Sequence, residues 1–175
     1  MNQDTTEVNT QKRIFLLISH EPGLHINKIS QLLQISQPLT WYHIRYLEKH
    51  DLISVDTDNG FSRCYPKGTI GVEDKKKFSV LRQRLCAQIV LFLLKNPNTR
   101  HKEIHEHFPI AKSTLSYHLK KLVYRGIITV YDSNGDQRYC VVDEQGIITF
   151  LMKYEPLGIA AGMNETFNGF TVHDK

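Results

Sequence analysis

The stretch KSTLSYHLKKLVYRGIITVYDSNGDQRYCVV, residues 112–142, decides how this chain folds. Leu115, Leu119 and Leu122 in its first part gather on one side of an α-helix that turns about 100° per residue. That helix runs from Lys112 to Tyr124, and Gly126 ends it, as a residue free to adopt positive φ commonly does. The run Ile127-Ile128-Thr129-Val130-Tyr131 is rich in β-branched side chains and reads as a strand. Ser133-Asn134-Gly135-Asp136 is a hairpin turn, since Asn-Gly tolerates the backbone angles of a tight turn, and Arg138–Val142 returns as the partner strand. Upstream, Pro109 stops a shorter helix in which Ile104 and Phe108 share a face, with Thr99 as its expected cap and Lys102 and Glu103 in its first turn. Asn96-Pro97-Asn98 separates that helix from a longer one over Phe78–Leu94, apolar at 78, 81, 85, 89, 92 and 93. Helix, helix, short turn, helix and hairpin is the order of a winged helix-turn-helix.

The same order occurs twice. At a shift of 75 residues, thirteen positions between 14 and 63 coincide with their counterparts, among them Ile14/Ile89, Pro22/Pro97, Tyr42/Tyr117, His43/His118, Gly60/Gly135 and Arg63/Arg138. The first copy reads as helices over Thr10–His20, His25–Leu33 and Gln37–His50, a strand over Leu52–Asp56, a turn at Asp58-Asn59-Gly60 and a strand over Ser62–Pro66. Two copies are too few for a solenoid, so each is expected to fold largely alone.

Charge is unevenly spread. Residues 71–142 hold thirteen basic and six acidic side chains, whereas residues 1–70 hold seven of each. The excess lies where a polyanion would be drawn. The apolar runs fall short of the ~20 residues that cross a bilayer. The polar start Met1–Thr10 does not read as a secretory signal, so a soluble, cytoplasmic protein with no membrane contact is expected. Cys64, Cys86 and Cys140 are too few and too scattered for a disulfide framework.

The outward side of the helix over 112–124 presents Ser113, Tyr117, Lys120, Lys121 and Tyr124, flanked by Thr114 and Ser116. Lys112 stands at its start, Arg125 at its end, and Arg138 just past the hairpin turn. Hydroxyls near a helix start reach bases or phosphates, and lysines neutralise phosphates. The same side of the first copy carries Pro38, Tyr42, Arg45, Tyr46 and Lys49, with Trp41 beside them and Arg63 past its own turn. Two uses of this aromatic side stay open: duplex contact, or a protein partner or unpaired bases. His43 and His118 fall at the edge of the core side and read as partly buried structural histidines bonded to the backbone, with direct base or phosphate contact as the alternative.

Other constellations carry less. His101 and His105 share a helix face, but His107 points elsewhere and no standard ligand spacing completes a set, so no metal or other cofactor is expected. No phosphate loop, triad or paired carboxylates stand out, and no enzymatic activity is expected. Lys75-Lys76-Lys77 opens a helix expected to run unbroken from about Glu73 to Lys95 and to join the modules. Ile147, Ile148, Leu151 and Met152 give Glu144–Tyr154 one apolar face, suited to packing on the module or on a second chain.

Residues 112–128 resemble the recognition-helix signature of ArsR/MarR-type winged helix regulators. Together with Thr-Trp-Tyr-His-Ile-Arg-Tyr-Leu-Glu-Lys-His-Asp-Leu-Ile at 40–53, they make the chain similar to archaeal predicted transcriptional regulators with two helix-turn-helix domains. The resemblance covers about residues 10–155. It implies a cytoplasmic regulator of transcription, allows for a homodimer, and leaves the effector ligand unknown. The expected fold is mainly α with small β-hairpin wings, a tandem repeat of two winged helix-turn-helix modules joined by a long helix. Its parts are a disordered N-terminus (1–9), module 1 (10–70), module 2 (71–142), a C-terminal helix (143–155) and a flexible tail (156–175). The expected function is transcriptional regulation by reading duplex DNA. The alternative is a protein-interaction or single-stranded-nucleic-acid-binding module in a transcription-related complex.

Overall fold

The structure, a computed structural model, describes residues 3–154 except 59 and 134, so the expected tail over 156–175 lies outside the described residues. The chain divides into two compact units, 1–79 and 80–175, later than the expected boundary at 70/71.

The first unit contains α1 (Gln3–His20), β1 (Leu24–His25), α2 (Ile26–Leu33), α3 (Gln37–Lys49), β2 (Ile53–Asp58), β3 (Phe61–Pro66) and most of α4 (Val72–Leu81). Ile14 and Ile18 of α1 meet Ile29, Ile44, Leu47, Ile53 and Cys64 in one core. Each buried isoleucine of this kind contributes about 1.5–3 kcal/mol. Ser36 caps α3, its Oγ accepting from the Leu39 amide at 3.4 Å, with Pro38 in the first turn. At the other end Asp51 takes a left-handed φ of +56°, and its amide closes on the Glu48 carbonyl at 3.0 Å.

The second unit contains α5 (Arg84–Lys95), β4 (Thr99–Arg100), α6 (His101–His107), α7 (Lys112–Tyr124), β5 (Ile128–Ser133), β6 (Asp136–Val141) and α8 (Glu144–Tyr154). Leu115, Leu119 and Leu122 are buried, as their spacing requires. Gly126, at φ +67°, occupies the place that Asp51 has in the first unit. Each unit has a three-stranded antiparallel sheet, ordered β1-β3-β2 and β4-β6-β5. Among the described residues no helix is long and apolar enough to cross a membrane.

Four expectations give way, and two short strands were not foreseen. The first nine residues are not wholly free, since α1 begins at Gln3; once Ile14 and Ile18 anchor a helix, each earlier residue joins at the low cost of propagation. The single helix over 73–95 is broken at Arg82-Gln83, where the Gln83 backbone is extended. The break lets Phe78 pack on Tyr65, ring centroids 6.1 Å apart, in the first unit. Cys86, Ile89 and Leu93 are buried in the second. Thr99 does not cap α6. It lies in β4 and its hydroxyl donates to the Asn96 carbonyl, while Glu103 reaches back to the Arg100 amide at 2.8 Å. In α8 the buried residues are Ile147, Phe150, Leu151 and Tyr154, with Met152 exposed. Finally, β1 and β4 are too short to leave a sequence pattern.

These two short strands explain the recurring arginine. His25 pairs with Arg63, and Arg100 with Arg138. Arg63 Nη1 donates to the Gly23 carbonyl at 2.8 Å and Nη2 to the Ser79 carbonyl at 3.2 Å. Arg138 Nη1 donates to the Asn98 carbonyl at 2.9 Å. Gly23 and Asn98 both have positive φ, +80° and +63°. Arg63 is 7% exposed. Its expected role as a wing contact for DNA is therefore corrected: its guanidinium is turned inward and tethers the sheet to the turn before α2. Removing a charged donor that serves buried carbonyls costs about 2 kcal/mol. Arg63→Ala should lower unfolding stability in urea by about that amount while leaving the duplex affinity of the folded protein within about twofold. Weakened DNA binding at unchanged stability would return Arg63 to the interface.

Candidate nucleic-acid interface

With Leu115, Leu119 and Leu122 buried, the helical period turns the opposite side of α7 outward. Tyr117 is 61% exposed and Tyr124 81%. Lys112, Ser113, Thr114 and Lys120 are exposed as well. Lys121 is half-buried, its ammonium 6.0 Å from the Tyr117 ring centre. Arg125 is half-buried too, 5.7 Å over the Tyr124 ring. The side is thus a run of hydroxyls at the helix start, then lysines and tyrosines.

Two expected contacts are drawn elsewhere. Ser116 Oγ lies 3.0 Å from His101 Nε2, joining α6 to α7 across the turn, so this hydroxyl serves the helix pair. Arg138 is committed to Asn98, as described above. Tyr131 adds to that junction by donating to Asn98 Oδ1 at 2.6 Å. Arg100, which sequence reasoning did not single out, pairs with Glu103 at 2.8 Å and Asp136 at 3.4 Å. The base of this wing is held by charges of both signs.

The first unit uses the same backbone for different chemistry. On α3, Trp41, Tyr42, Arg45, Tyr46 and Lys49 are exposed, and Thr40, His43, Ile44 and Leu47 are buried. Arg45 lies 5.5 Å over the Trp41 ring and 3.7 Å from the Glu48 carboxylate. Tyr46 packs on His50 at 4.3 Å between centroids. An aromatic side with partly paired charge stands where α7 carries lysines. Sequence reasoning also passed over His25 and Phe61, whose rings lie 5.2 Å apart. Phe61 follows the turn glycine of the wing, an exposed aromatic at a tip, and that was the available signal.

Three histidines are held below their ordinary range of about 6.5. Burial lowers His43, partly offset by Glu7; His43 is 1% exposed. Burial and then Lys112 and His105 lower His101, and burial and then Lys121 lower His118. His118 Nδ1 is 3.2 Å from Cys86 Sγ. Burial pushes the Cys86 thiol up to about 11 against the pull of Lys121, and burial with Glu48 pushes Cys64 up to about 12. Neither thiol ionises near neutral pH, so the Cys86–His118 pair is a neutral thiol–imidazole contact and not a nucleophile. His107 stacks on Phe92 at 4.3 Å, which with the His101–Ser116 bond gives two of the clustered histidines structural partners. Among the described residues no group of three potential metal ligands comes together.

A helix pair followed by a hairpin, with the outer side of the second helix free, is a winged-helix arrangement in a mainly helical chain with small antiparallel sheets. The family model described as bacterial regulatory protein, arsR family, matches residues 87–130, from within α5 into β5. No curated protein matches the chain. Among solved structures, a possible HxlR family transcriptional factor from Thermoplasma volcanium GSS1 is 17% identical over 64% of this chain and 99% of its own, with a TM-score of 0.40. An ArsR-like transcriptional regulator from Rhodococcus sp. RHA1 is 18% identical over 54% of this chain and 92% of its own, TM-score 0.39. The transcriptional regulator SlyA is 14% identical over 51% of this chain, TM-score 0.37; the match spans 63% of the SlyA chain.

The lowered histidines set the sign of a pH effect. Folding keeps His43, His101 and His118 neutral at a pH where the unfolded chain takes up protons, so unfolding is favoured as pH falls through about 6.5 and below. The thermal midpoint should therefore drop between about pH 7.5 and about pH 5.5, and less steeply in His43→Leu. A midpoint that is flat or rises on acidification contradicts this assignment.

Proposed function

We propose that the chain is a DNA-binding transcriptional regulator built of two tandem winged helix-turn-helix modules, acting in the cytoplasm on duplex DNA. The observation that carries this reading is the outer side of α7. There Ser113, Thr114, Tyr117 and Lys120 are exposed opposite a buried leucine row, inside the segment that matches the arsR family model. In this reading α7 enters the major groove. Ser113 and Thr114 meet base edges or phosphates near the helix start, and Lys112, Lys120, Lys121 and Arg125 neutralise phosphates. The basic excess of residues 71–142 supplies the long-range attraction.

The α3 side of the first module makes the lesser duplex contact, through Arg45 and Lys49 with Tyr42 and Tyr46. Arg138 and Arg63 orient the wings and do not touch DNA. A homodimer would supply two half-sites for a palindromic operator.

Selection of random duplex DNA by the purified protein should enrich one motif. Binding to that motif, titrated over a range of salt, should then rank the two modules. Lys120→Ala combined with Lys121→Ala should reduce the slope of log affinity against log salt by about 2, and Arg45→Ala by about 1 or less. Equal or reversed effects would reject α7 as the principal contact. Uniform weak binding with no enriched motif would reject sequence reading.

A further inference from the structure

In the first unit an open cleft of about 120 Å³ lies between α3, the start of α2 and the wing turn, with His25, Asn27, Trp41 and Phe61 among its lining residues. Trp41 is 37% exposed and Phe61 63%. The His25 and Phe61 rings are inclined at 60°. The equivalent place in the second unit, 75 residues on, holds Arg100, Ser116 and Asp136 where the first holds His25, Trp41 and Phe61. There the Arg100–Asp136 ion pair and the His101–Ser116 hydrogen bond tie those positions together. One backbone therefore carries a polar closure in one copy and three aromatic rings around open space in the other. The rings contribute little to the core of their own unit, and leaving them in water forgoes the gain that burying aromatic surface would bring.

We propose that this cleft binds one unpaired base of a single-stranded nucleic acid, stacked against Trp41 and Phe61. Inside a duplex each base has both faces covered by its neighbours, so aromatic rings find a free π-face only on a base out of the stack. The surroundings suit a nucleotide. The Arg45 guanidinium beside Trp41 offers a cation to the strand backbone, and the exposed carboxamide of Asn27 has both donor and acceptor for a base edge. The proposal rests on the chain binding nucleic acid at all. It adds a place for one unpaired nucleotide beside the lesser duplex contact of α3, while the lysine-bearing module remains the principal duplex contact.

Trp41 is the sole tryptophan of the chain, so its fluorescence reports on the cleft directly. The full chain is titrated with short oligothymidylate, with oligouridylate, and with a duplex of equal length. Either single strand should quench Trp41 saturably and more strongly than the duplex does; quenching by only one of the two identifies the sugar that the site accepts. A stacked base is worth about 1–3 kcal/mol, so Phe61→Ala should weaken single-strand binding about tenfold without moving the thermal midpoint. Phe61→Tyr should retain binding. Lys120→Ala with Lys121→Ala should leave the quenching intact, which separates this site from the α7 reading: duplex affinity lost with quenching kept counts for the cleft. No quenching by either single strand, quenching by duplex of equal strength, or unchanged affinity in Phe61→Ala overturns the proposal.

Discussion

A guanidinium reaching from the returning wing strand to the carbonyl of a left-handed turn residue, Arg63 to Gly23 and Arg138 to Asn98, is the constraint on which both units depend. Hairpins are marginal on their own, and a two-residue strand such as β1 or β4 has almost no stability of its own. The charged donor ties sheet, turn and the following helix into one piece through the carbonyls of Gly23 and Asn98. The arrangement also explains the turn residues. A positive φ is needed there, which Gly23 adopts without a side-chain penalty and Asn98 tolerates. Gly23 has a further reason to lack a side chain, since a Cβ would sit 3.2 Å from both Phe78 and Tyr65.

With hairpin and helix pair held in that way, α3 and α7 become rigid supports whose outer residues are free to vary. The buried sides of α3 and α7 are similar, Ile44 and Leu47 in one and Leu119 and Leu122 in the other. The outer sides are not: Tyr46 faces Lys121, Arg45 faces Lys120, and Trp41 faces Ser116 at the 75-residue shift. A packed core constrains shape, whereas solvent-facing positions answer only to a partner. The same physics that makes the two copies alike inside leaves their outer sides free to differ.

The buried polar groups follow a consistent rule. His43, His101 and His118 are kept neutral and the thiols of Cys64 and Cys86 protonated, because the interior disfavours charge. Charge is kept at the surface instead, as at Lys112 and Lys120 of α7.

The leucine row of α7, the strands on either side of each hairpin turn and the repeat at a shift of 75 were legible from residues alone, because helical period and strand composition are local properties. So was the outer side of α7, which follows once the leucine row is known. The break at Arg82-Gln83 was not, because an apolar period runs through it and two cores divide the helix between them. Nor was the inward turn of Arg63, since a recurring arginine beside a turn reads the same whether it faces a phosphate or a carbonyl. Ser116 and Phe61 teach the same lesson, one drawn to His101 and the other left beside His25 and Trp41. Spacing along the chain determined which residues form elements and which face of each is apolar. Only tertiary structure decided which polar side chains are already engaged and which rings share a cleft, because those depend on partners distant in the chain, fifteen residues away for Ser116 and His101 and forty for Arg63 and Gly23, that no local pattern specifies.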